Sequence, residues 1–251
     1  MDAKRIVQDA QSRPDLFRID IDGRIGLTEE RLASRVNYFR DGVWSLHNAL
    51  RLMSLAKANW AVIALVYALA TRKEGTLPVI VKKDEGLWPT LDLLAAEYPQ
   101  VKRELDYAWA GGIMVTAQVQ SALLRMASAR LTAWEYVQEL RHLVSADGRS
   151  GQFCLQWSVA ELMSRLLGEH VQEVFDPAGD ASVVPVVLAT SPGGSVKANA
   201  VFMDPFAQYF NQLQAKILGA ELNPLNWDDL GPGGSAGGNY AHCISAPPLG
   251  G

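Results

Sequence analysis

A group of cations and aromatic rings in the first half of the sequence has the residue types that bind single-stranded nucleic acid. The cations follow a long apolar run, and the rings lie on both sides of them in the chain. Ammonium and guanidinium groups pair with phosphates, and aromatic faces stack on bases with little preference for sequence. The pattern predicts an RNA-binding surface formed by Arg72, Lys73, Lys82, Lys83, Trp60 and Trp88.

Two further cations, Arg125 and Arg130, follow in the next long helical pattern and would extend this surface into a groove. The alternative is an ordinary solvated face. Glu74, Asp84 and Glu85 neutralise much of the cluster, and the rings would then only fill the core. Both interpretations are compatible with the sequence.

Nucleophilic catalysis would need Cys154 or a serine beside a histidine. The four histidines are scattered, and Cys154 falls on a predicted buried helix face, where a thiol is usually inert. A pairing of Cys154 with His142 or His170 stays open. No His or Cys residues have the spacing of metal ligands, and the glycine-rich segments lack the context of a phosphate loop. We therefore expect no catalytic residues, no metal, no cofactor and no enzymatic activity.

Composition is typical of a globular protein from a reducing compartment. The 251 residues are 49% hydrophobic, enough for one large domain or two small lobes. Two cysteines, Cys154 and Cys243, do not form a disulfide framework. No secretory leader is apparent, and the apolar run 59–70 is shorter than the roughly 20 residues of a membrane span. We expect a cytoplasmic protein with no membrane partner.

Charge is distributed unevenly along the chain. Residues 1–154 hold 20 Lys and Arg against 18 Asp and Glu, whereas residues 155–251 hold 3 against 9, which gives the net charge of −4. The overall acidity argues against a general polyanion binder. Any nucleic-acid binding therefore belongs to the first part.

The hydrophobic pattern predicts a mainly α-helical globular protein. Apolar residues that alternate on both sides of Asp22-Gly23 predict a small β-hairpin over 17–27. Helical spacing then predicts one helix over 28–39 and another over 43–56, and Asp41-Gly42 separates them.

The apolar run 59–70 predicts a helix buried on nearly every side, which would hold the cations after it in place. The short, β-branched segment 77–81 favours an extended segment or edge strand. A long helix is expected over 113–129, after the break at Gly111-Gly112.

Further along the chain, Thr132 and Glu135 have the spacing of a capping box, which predicts a helix start. Residues 182–188 predict a strand that Pro185 would confine to a sheet edge. Asp204-Pro205 predicts the start of an amphipathic helix.

These elements predict an N-terminal arm with the hairpin, two helical lobes and a tail. The segments are 1–27, 28–110, 111–222 and 223–251, with edge strands in addition to the hairpin. The last segment is rich in Gly and Pro, and we expect it to be mobile.

Between residues 39 and 100 the order of features resembles the N-terminal lobe of nucleoproteins of segmented negative-strand RNA viruses, of the phlebovirus and tenuivirus type. This stretch is about a quarter of the chain, and an extra alanine interrupts the Leu-Thr-Arg order of the family. The matching segments are Asp41-Gly42-Val-Trp44, Lys57-Ala-Asn-Trp60, Ala68-Leu-Ala-Thr-Arg72 and Val81-Lys-Lys83.

The resemblance implies a two-lobed helical protein whose groove sequesters single-stranded RNA, with Arg72, Lys82 and Lys83 touching phosphates. It also implies homo-oligomerisation through the N-terminal arm, and a location in the host cytoplasm or the virion. Coat proteins of flexuous filamentous viruses have a similar organisation, with a helical lobe and flexible termini.

The leading hypothesis is a nucleocapsid or coat-type protein that self-assembles into filaments and binds single-stranded RNA without sequence preference. Two other classes stay open. One is a cytosolic helical enzyme or small-ligand-binding protein with its pocket between the lobes, and the other is an assembly scaffold without nucleic acid.

Overall fold

The structure is a computed structural model that describes residues 17–19, 25–27, 29–51, 55–146, 155–167, 171–181, 183–190, 196–226 and 242–244. Helices predominate, which confirms the predicted mainly α class. They are α1 (Glu29–Leu50), α2 (Leu55–Ala70), α3 (Trp88–Glu97), α4 (Pro99–Ala110), α5 (Ala117–Ser128), α6 (Ala133–Ala146), α7 (Trp157–Leu166), α8 (Val184–Thr190) and α9 (Pro205–Ile217). The strands are β1 (Phe17–Ile19), β2 (Ile25–Leu27), β3 (Glu173–Asp176), β4 (Lys197–Val201) and β5 (Leu222–Leu225).

Helix α2 lies at the centre of the main hydrophobic cluster, as its apolar composition predicts. Ile63, Leu65 and Leu69 are fully buried, and so are the alanines between them. Helices α1, α3, α4, α5, α6 and α9 contribute side chains to the same cluster. Because other helices surround α2 over most of its length, its last turn holds the following chain in a defined place.

The predicted break at Asp41-Gly42 is wrong, because α1 continues through it without interruption. A Cβ atom on Gly42 would lie 2.5 Å from Cγ of Met126 and 3.3 Å from the carbonyl oxygen of Ala122, both on α5. Glycine is therefore needed for the close approach of α1 and α5, and it does not end a helix here.

Two further element predictions need correction. Residues 77–81 contain no strand, which excludes the edge-strand alternative for this segment. The helix expected over 113–129 is divided into a 3₁₀ turn, Ile113–Val115, and α5. Thr116 separates the two, since its hydroxyl accepts a hydrogen bond from the Val119 amide and caps α5.

Both predicted helix starts are confirmed. At α6 the Glu135 carboxylate accepts a hydrogen bond from the Thr132 amide (2.7 Å), and the Glu135 amide donates to the Thr132 hydroxyl (3.3 Å). At α9 the Asp204 carboxylate accepts from the Phe206 amide (3.0 Å), directly before Pro205. These are local interactions, which short sequence patterns identify well.

A second hydrophobic cluster surrounds a parallel sheet that we did not expect. Strands β3, β4 and β5 are parallel and adjacent in this order, with α8 and α9 as the two connections. The strand predicted over 182–188 is wrong, because α8 occupies this segment. Pro185 stands in its first turn, where the missing N–H has no helical partner to lose.

Helix α9 belongs to both clusters. Tyr209, Phe210 and Leu213 are buried in the helical cluster, whereas Ala215 is buried in the cluster of the sheet. The partner surface that this amphipathic helix requires is therefore provided on two sides.

The expected mobile tail from residue 223 is wrong in two places. Strand β5 continues to Leu225, and residues 242–244 run parallel to β3. Phe175 donates its amide to the His242 carbonyl (3.0 Å) and accepts from the Ile244 amide (2.9 Å). The rest of the tail, 227–241 and 245–251, lies outside the described residues.

The predicted hairpin is confirmed by the antiparallel pairing of β1 with β2, in which Phe17 is opposite Leu27. Its turn, Asp22-Gly23, lies outside the described residues. The boundary expected at residue 111 is not a break in the core, since Leu105 and Leu123 on its two sides belong to one cluster.

Candidate nucleic-acid interface

Residues 71–87, which we call the basic loop, connect α2 to α3 and carry four of the predicted RNA-binding residues. Gln120 of α5 holds the middle of the loop. Its Oε1 accepts from the Ile80 amide (3.0 Å), and its Nε2 donates to the carbonyls of Ile80 (2.9 Å) and Met114 (2.7 Å). The carboxamide thus satisfies the backbone groups that a neighbouring strand would otherwise pair with.

The end of the basic loop is anchored as well. The Leu87 amide donates to the Val79 carbonyl (3.3 Å), and the Leu87 side chain is fully buried. Gly86 between them has φ of +60°, and a Cβ there would lie 1.9 Å from the Val79 oxygen. Only glycine allows this return of the chain.

Arg72 and Arg130 are distant in sequence, but the structure places both at the first turn of α6. The Arg72 guanidinium donates to the Leu69 carbonyl (2.7 Å) at the end of α2 and lies beside the Tyr136 hydroxyl. Burial raises the pKa of Tyr136, and the hydrogen bond from Arg72 opposes this shift. Tyr136 therefore stays a neutral hydroxyl at neutral pH.

Arg130 follows the end of α5 and has a left-handed backbone with φ of +49°. Its carbonyl accepts from Nη1 of Arg35 (3.0 Å), and Nη2 of Arg35 pairs with Glu135 (2.6 Å). The side chain of Arg130 is exposed. Three arginines thus surround the start of α6, and Glu135 neutralises one of them.

The two lysines at the far end of the basic loop are exposed and paired with carboxylates. Lys82 lies 3.1 Å from Glu85, which raises the pKa of Lys82 by hydrogen bonding. Lys83 lies 3.5 Å from Asp106 of α4. Lys73 is exposed near the start of the loop. Exposed ion pairs contribute little free energy, and another anion can replace the carboxylate.

Trp88 does not offer a surface for base stacking, because its side chain is only 4% exposed. Its ring packs against Trp109 with centroids 4.8 Å apart. The Lys83 ammonium lies over both rings, 5.1 Å from the centroid of Trp88 and 5.6 Å from that of Trp109. The predicted role of Trp88 is thus corrected: the ring positions a cation and is closed to bases.

Arg125 lies on α5, where its guanidinium carbon is 5.5 Å from the ring centroid of Tyr38 on α1. Tyr38 is 48% exposed, so this cation–aromatic pair is accessible. The sequence signal for this pair is Tyr38, an aromatic residue that follows Asn37 on an amphipathic helix.

Trp60 is not part of the basic surface. It stacks on Tyr209 with centroids 4.6 Å apart and lines a cavity of about 350 Å³ between α2, α9 and the junction of α3 with α4. Tyr98, Pro99, Pro205, Gln208 and Gln212 are other residues of this cavity, which we call the Trp60 groove. None of the predicted RNA-binding cations lines it.

The histidines and cysteines considered for nucleophilic catalysis or metal binding lie apart or outside the described residues. His142 is exposed on α6, whereas Cys154 and His170 lie outside the described residues. His47 is buried, and its Nε2 is 3.1 Å from Oδ1 of Asn59. In the described part of the chain no group of three His, Cys, Asp or Glu residues is arranged to hold a metal ion.

Comparison with known proteins identifies no relative: no family model, no curated protein and no solved structure matches this chain. Across the described ranges, no helix is both long enough and apolar enough to cross a bilayer.

Proposed function

We propose that this protein binds single-stranded RNA along the basic loop and the first turn of α6. The observation that carries the proposal is the fixed course of the loop between Gln120 and Gly86 while Lys73, Lys82 and Lys83 stay exposed on it. A loop already ordered does not lose conformational entropy on binding, so its cations act as a preformed phosphate track.

Arg72 and Arg130 extend this track at the start of α6, next to Lys73. Arg125 with Tyr38 adds a cation and an accessible ring, which suits a contact to phosphate and base together. The sheet region carries the acidic excess of the chain and lies outside the proposed path.

The proposal includes assembly with further copies along the RNA, as in the nucleoproteins and filamentous coat proteins that the N-terminal segment resembles. Such a protein would act in the host cytoplasm or the virion. A nucleic-acid-free scaffold and a ligand-binding protein are the competing functions that the experiments must separate.

Binding is tested with a labelled oligouridine by fluorescence anisotropy at several salt concentrations. The variant Lys73→Glu/Lys82→Glu/Lys83→Glu should bind at least about 10-fold more weakly, and the magnitude of the slope of log K against log salt should fall by about 2 to 3, because three phosphate contacts are lost. The control Lys57→Glu/Arg165→Glu/Lys197→Glu changes the charge equally at exposed positions outside the loop. Equal losses in both variants would mean that only net charge matters.

Assembly is tested by size-exclusion chromatography with absorbance at two wavelengths, before and after RNase. A large nucleic-acid-containing species that RNase breaks down supports encapsidation. A large species free of nucleic acid would replace this function with the scaffold. A small species that binds no RNA at low salt would leave the ligand-binding alternative.

A further inference from the structure

Helix α7 packs on the sheet region with one of its sides. On this side Ala160 is fully buried, Ser164 is buried, and Met163 packs against the hydrophobic cluster around the sheet. This contact already gives α7 the buried face that an amphipathic surface helix requires.

The opposite side of α7 carries a second set of apolar side chains, which we call the outer stripe. It consists of three residues with exposed fractions of 40%, 57% and 77%, which are Val159, Leu162 and Leu166. Their spacing of three and four residues places them along one face of the helix. Because the solvent side of a surface helix is usually polar, the outer stripe is typical of a surface that binds another apolar surface.

Two charged residues border the outer stripe. Glu161 and Arg165 are four residues apart and form an ion pair at 2.5 Å. At about 100° of rotation per residue, both lie on the same side of the line through Val159 and Leu166. The border is therefore negative towards the start of α7 and positive towards its end.

A second copy of α7 complements both the outer stripe and its charged border. In an antiparallel pair related by a two-fold axis, the borders of the two helices lie on the same side, and a residue near the start of one helix is opposite a residue near the end of the other. Val159 is then opposite Leu166 of the second copy. Glu161 is opposite Arg165 of the second copy.

One position of the two-fold axis satisfies the apolar and the charged pairs together. The midpoint of positions 159 and 166 lies between residues 162 and 163, and the midpoint of positions 161 and 165 is residue 163. The two midpoints differ by less than the helix rise of about 1.5 Å per residue. This agreement favours a second copy of the chain, because binding to an unrelated protein does not require self-complementarity.

A parallel pair of α7 helices does not have this complementarity. Its two-fold axis runs along the helices and places the two charged borders on opposite sides, where they do not meet. The charges therefore specify the antiparallel orientation.

The outer stripe is too small for a permanent dimer. The 10 residues of α7 extend about 15 Å, whereas stable interfaces bury about 800 Å² on each partner. The contact should therefore be weak and should depend on concentration. It becomes effective when copies are held close to one another, as they would be on one RNA strand.

We propose that two copies of this protein bind to each other through the outer stripes of α7, in an antiparallel arrangement with Leu162 near the two-fold axis. Glu161 of each copy pairs with Arg165 of the other. The contact needs no RNA and so goes beyond the proposed RNA binding, and in an assembly on RNA it would join neighbouring copies.

The apolar contact is tested with the full chain after RNase treatment, by sedimentation equilibrium up to about 200 µM protein. Leu162→Glu should raise the dissociation constant of the dimer at least about 10-fold, because it places two carboxylates beside each other at the axis. Leu93→Glu, at an exposed position of α3, makes the same change in charge and should leave the dimer unchanged. Thermal unfolding should be similar in both variants, since both positions are exposed.

The antiparallel orientation is tested with two charge variants. Glu161→Arg and Arg165→Glu each place like charges opposite each other in their own dimers, whereas opposite charges meet when the two variants are mixed. The mixed dimer should form with a dissociation constant at least about 10-fold lower than that of either variant alone. Glu161→Arg/Arg165→Glu should dimerise like the unchanged protein. An ion pair that acts only within α7 would give no preference for the mixed dimer.

Three results would overturn the proposal. A monomer at every concentration would exclude the contact, and if Leu162→Glu then unfolds at a lower temperature than Leu93→Glu, the outer stripe is covered by the same chain. Equal dimerisation of the unchanged protein and Leu162→Glu would place the interface elsewhere. Equal dimerisation of the mixed and the separate charge variants would exclude the antiparallel arrangement.

Binding of a short labelled oligouridine, measured by fluorescence anisotropy, separates this proposal from the proposed RNA binding. Leu162→Glu should bind the oligouridine as the unchanged protein does, because the basic loop is intact. Loss of the dimer with RNA binding preserved concerns α7 alone. Absence of RNA binding with the dimer preserved would reject the RNA-binding function and leave the α7 contact in place.

Discussion

Lys83 shows how single residues prepare or restrict a binding surface. Its ammonium is held over Trp88 and Trp109 and at the same time near Asp106, which Lys102 also contacts at 2.6 Å. The rings place the cation, whereas the carboxylate competes with any incoming phosphate. Asp106 is thus the residue that most directly limits the proposed RNA binding.

Asp106→Asn should increase RNA affinity about 3-fold to 10-fold at low salt, because it frees Lys83 and Lys102 from a shared carboxylate. The measurement is fluorescence anisotropy with labelled oligouridine. Glu221→Gln makes the same change in net charge at an exposed position beside β5 and should leave affinity nearly unchanged. An equal gain from both substitutions would contradict a local role of Asp106.

The gain in RNA affinity from Asp106→Asn should depend on pH with a defined sign. The hydrogen bond from Lys102, followed by the charges of Lys102 and Lys83, lowers the pKa of Asp106. A lowered pKa means that the carboxylate stabilises the folded protein above its unfolded pKa of about 3.9 and stops doing so as the pH falls through the lower folded value. The higher RNA affinity of Asp106→Asn should therefore persist at pH 5. It should disappear only below about pH 4, where Asp106 in the unchanged protein also becomes protonated.

At the scale of elements, the basic loop has its order from a neighbouring helix and not from its own secondary structure. Gln120 pairs with both backbone groups of Ile80, and Gly86 permits the return of the chain. Gly86 lies in the loop itself, close to Lys82 and Lys83, but Gln120 lies on α5 and is distant from the loop cations in sequence. The cations were predictable from the sequence, but their rigid support was not.

Gln120→Ala should destabilise the protein by about 2 kcal/mol, because it leaves partly buried backbone groups without partners. Amide hydrogen exchange at Ile80 should accelerate more than exchange in α2. Gln118→Ala, exposed on the same helix, is the control and should change neither quantity. Unchanged exchange at Ile80 in Gln120→Ala would show that other contacts hold the loop. Urea denaturation gives the free energies.

Element boundaries illustrate which sequence signals can be trusted. The capping box at Thr132 and the Asp204-Pro205 start were predicted correctly, because these interactions involve only adjacent turns. Gly42 and Pro185 were misinterpreted, because the same residue can end an element, permit close packing or begin a helix. Which of these applies depends on what packs against it.

At the scale of the whole molecule, α9 links the helical cluster to the cluster around the parallel sheet. One face buries Phe210 and Leu213 beside α2, and the other buries Ala215 under the sheet. Because both clusters include α9, unfolding of one cluster would remove part of the other. The described parts of the chain should therefore unfold together.

Leu65→Ala tests this coupling, because Leu65 is fully buried in the helical cluster alone. The substitution should cost about 3 kcal/mol in unfolding free energy. Native-state hydrogen exchange should show the same loss at the amides of β4 as at those of α2. Leu124→Ala, at a position that is 47% exposed, is the control. Undiminished protection of β4 in Leu65→Ala would mean that the sheet region unfolds independently.

The sequence by itself determined the helical class, the hairpin, the central buried helix and the presence of cations directly after it. These features depend on local periodicity and on residues only a few positions apart, which the chain encodes directly. The sequence also identified Trp60 and Trp88 as rings near these cations, but proximity in the chain said nothing about which faces stay open.

Only the tertiary structure decided that Trp88 is buried beneath Lys83, that Trp60 belongs to a separate groove, and that Arg72 and Arg130 both lie at the start of α6. It also decided that three short strands form a parallel sheet joined by residues 242–244. The physical reason is that burial, parallel pairing and charge contacts arise between residues distant in sequence. Their outcome depends on how whole helices pack and not on any local pattern.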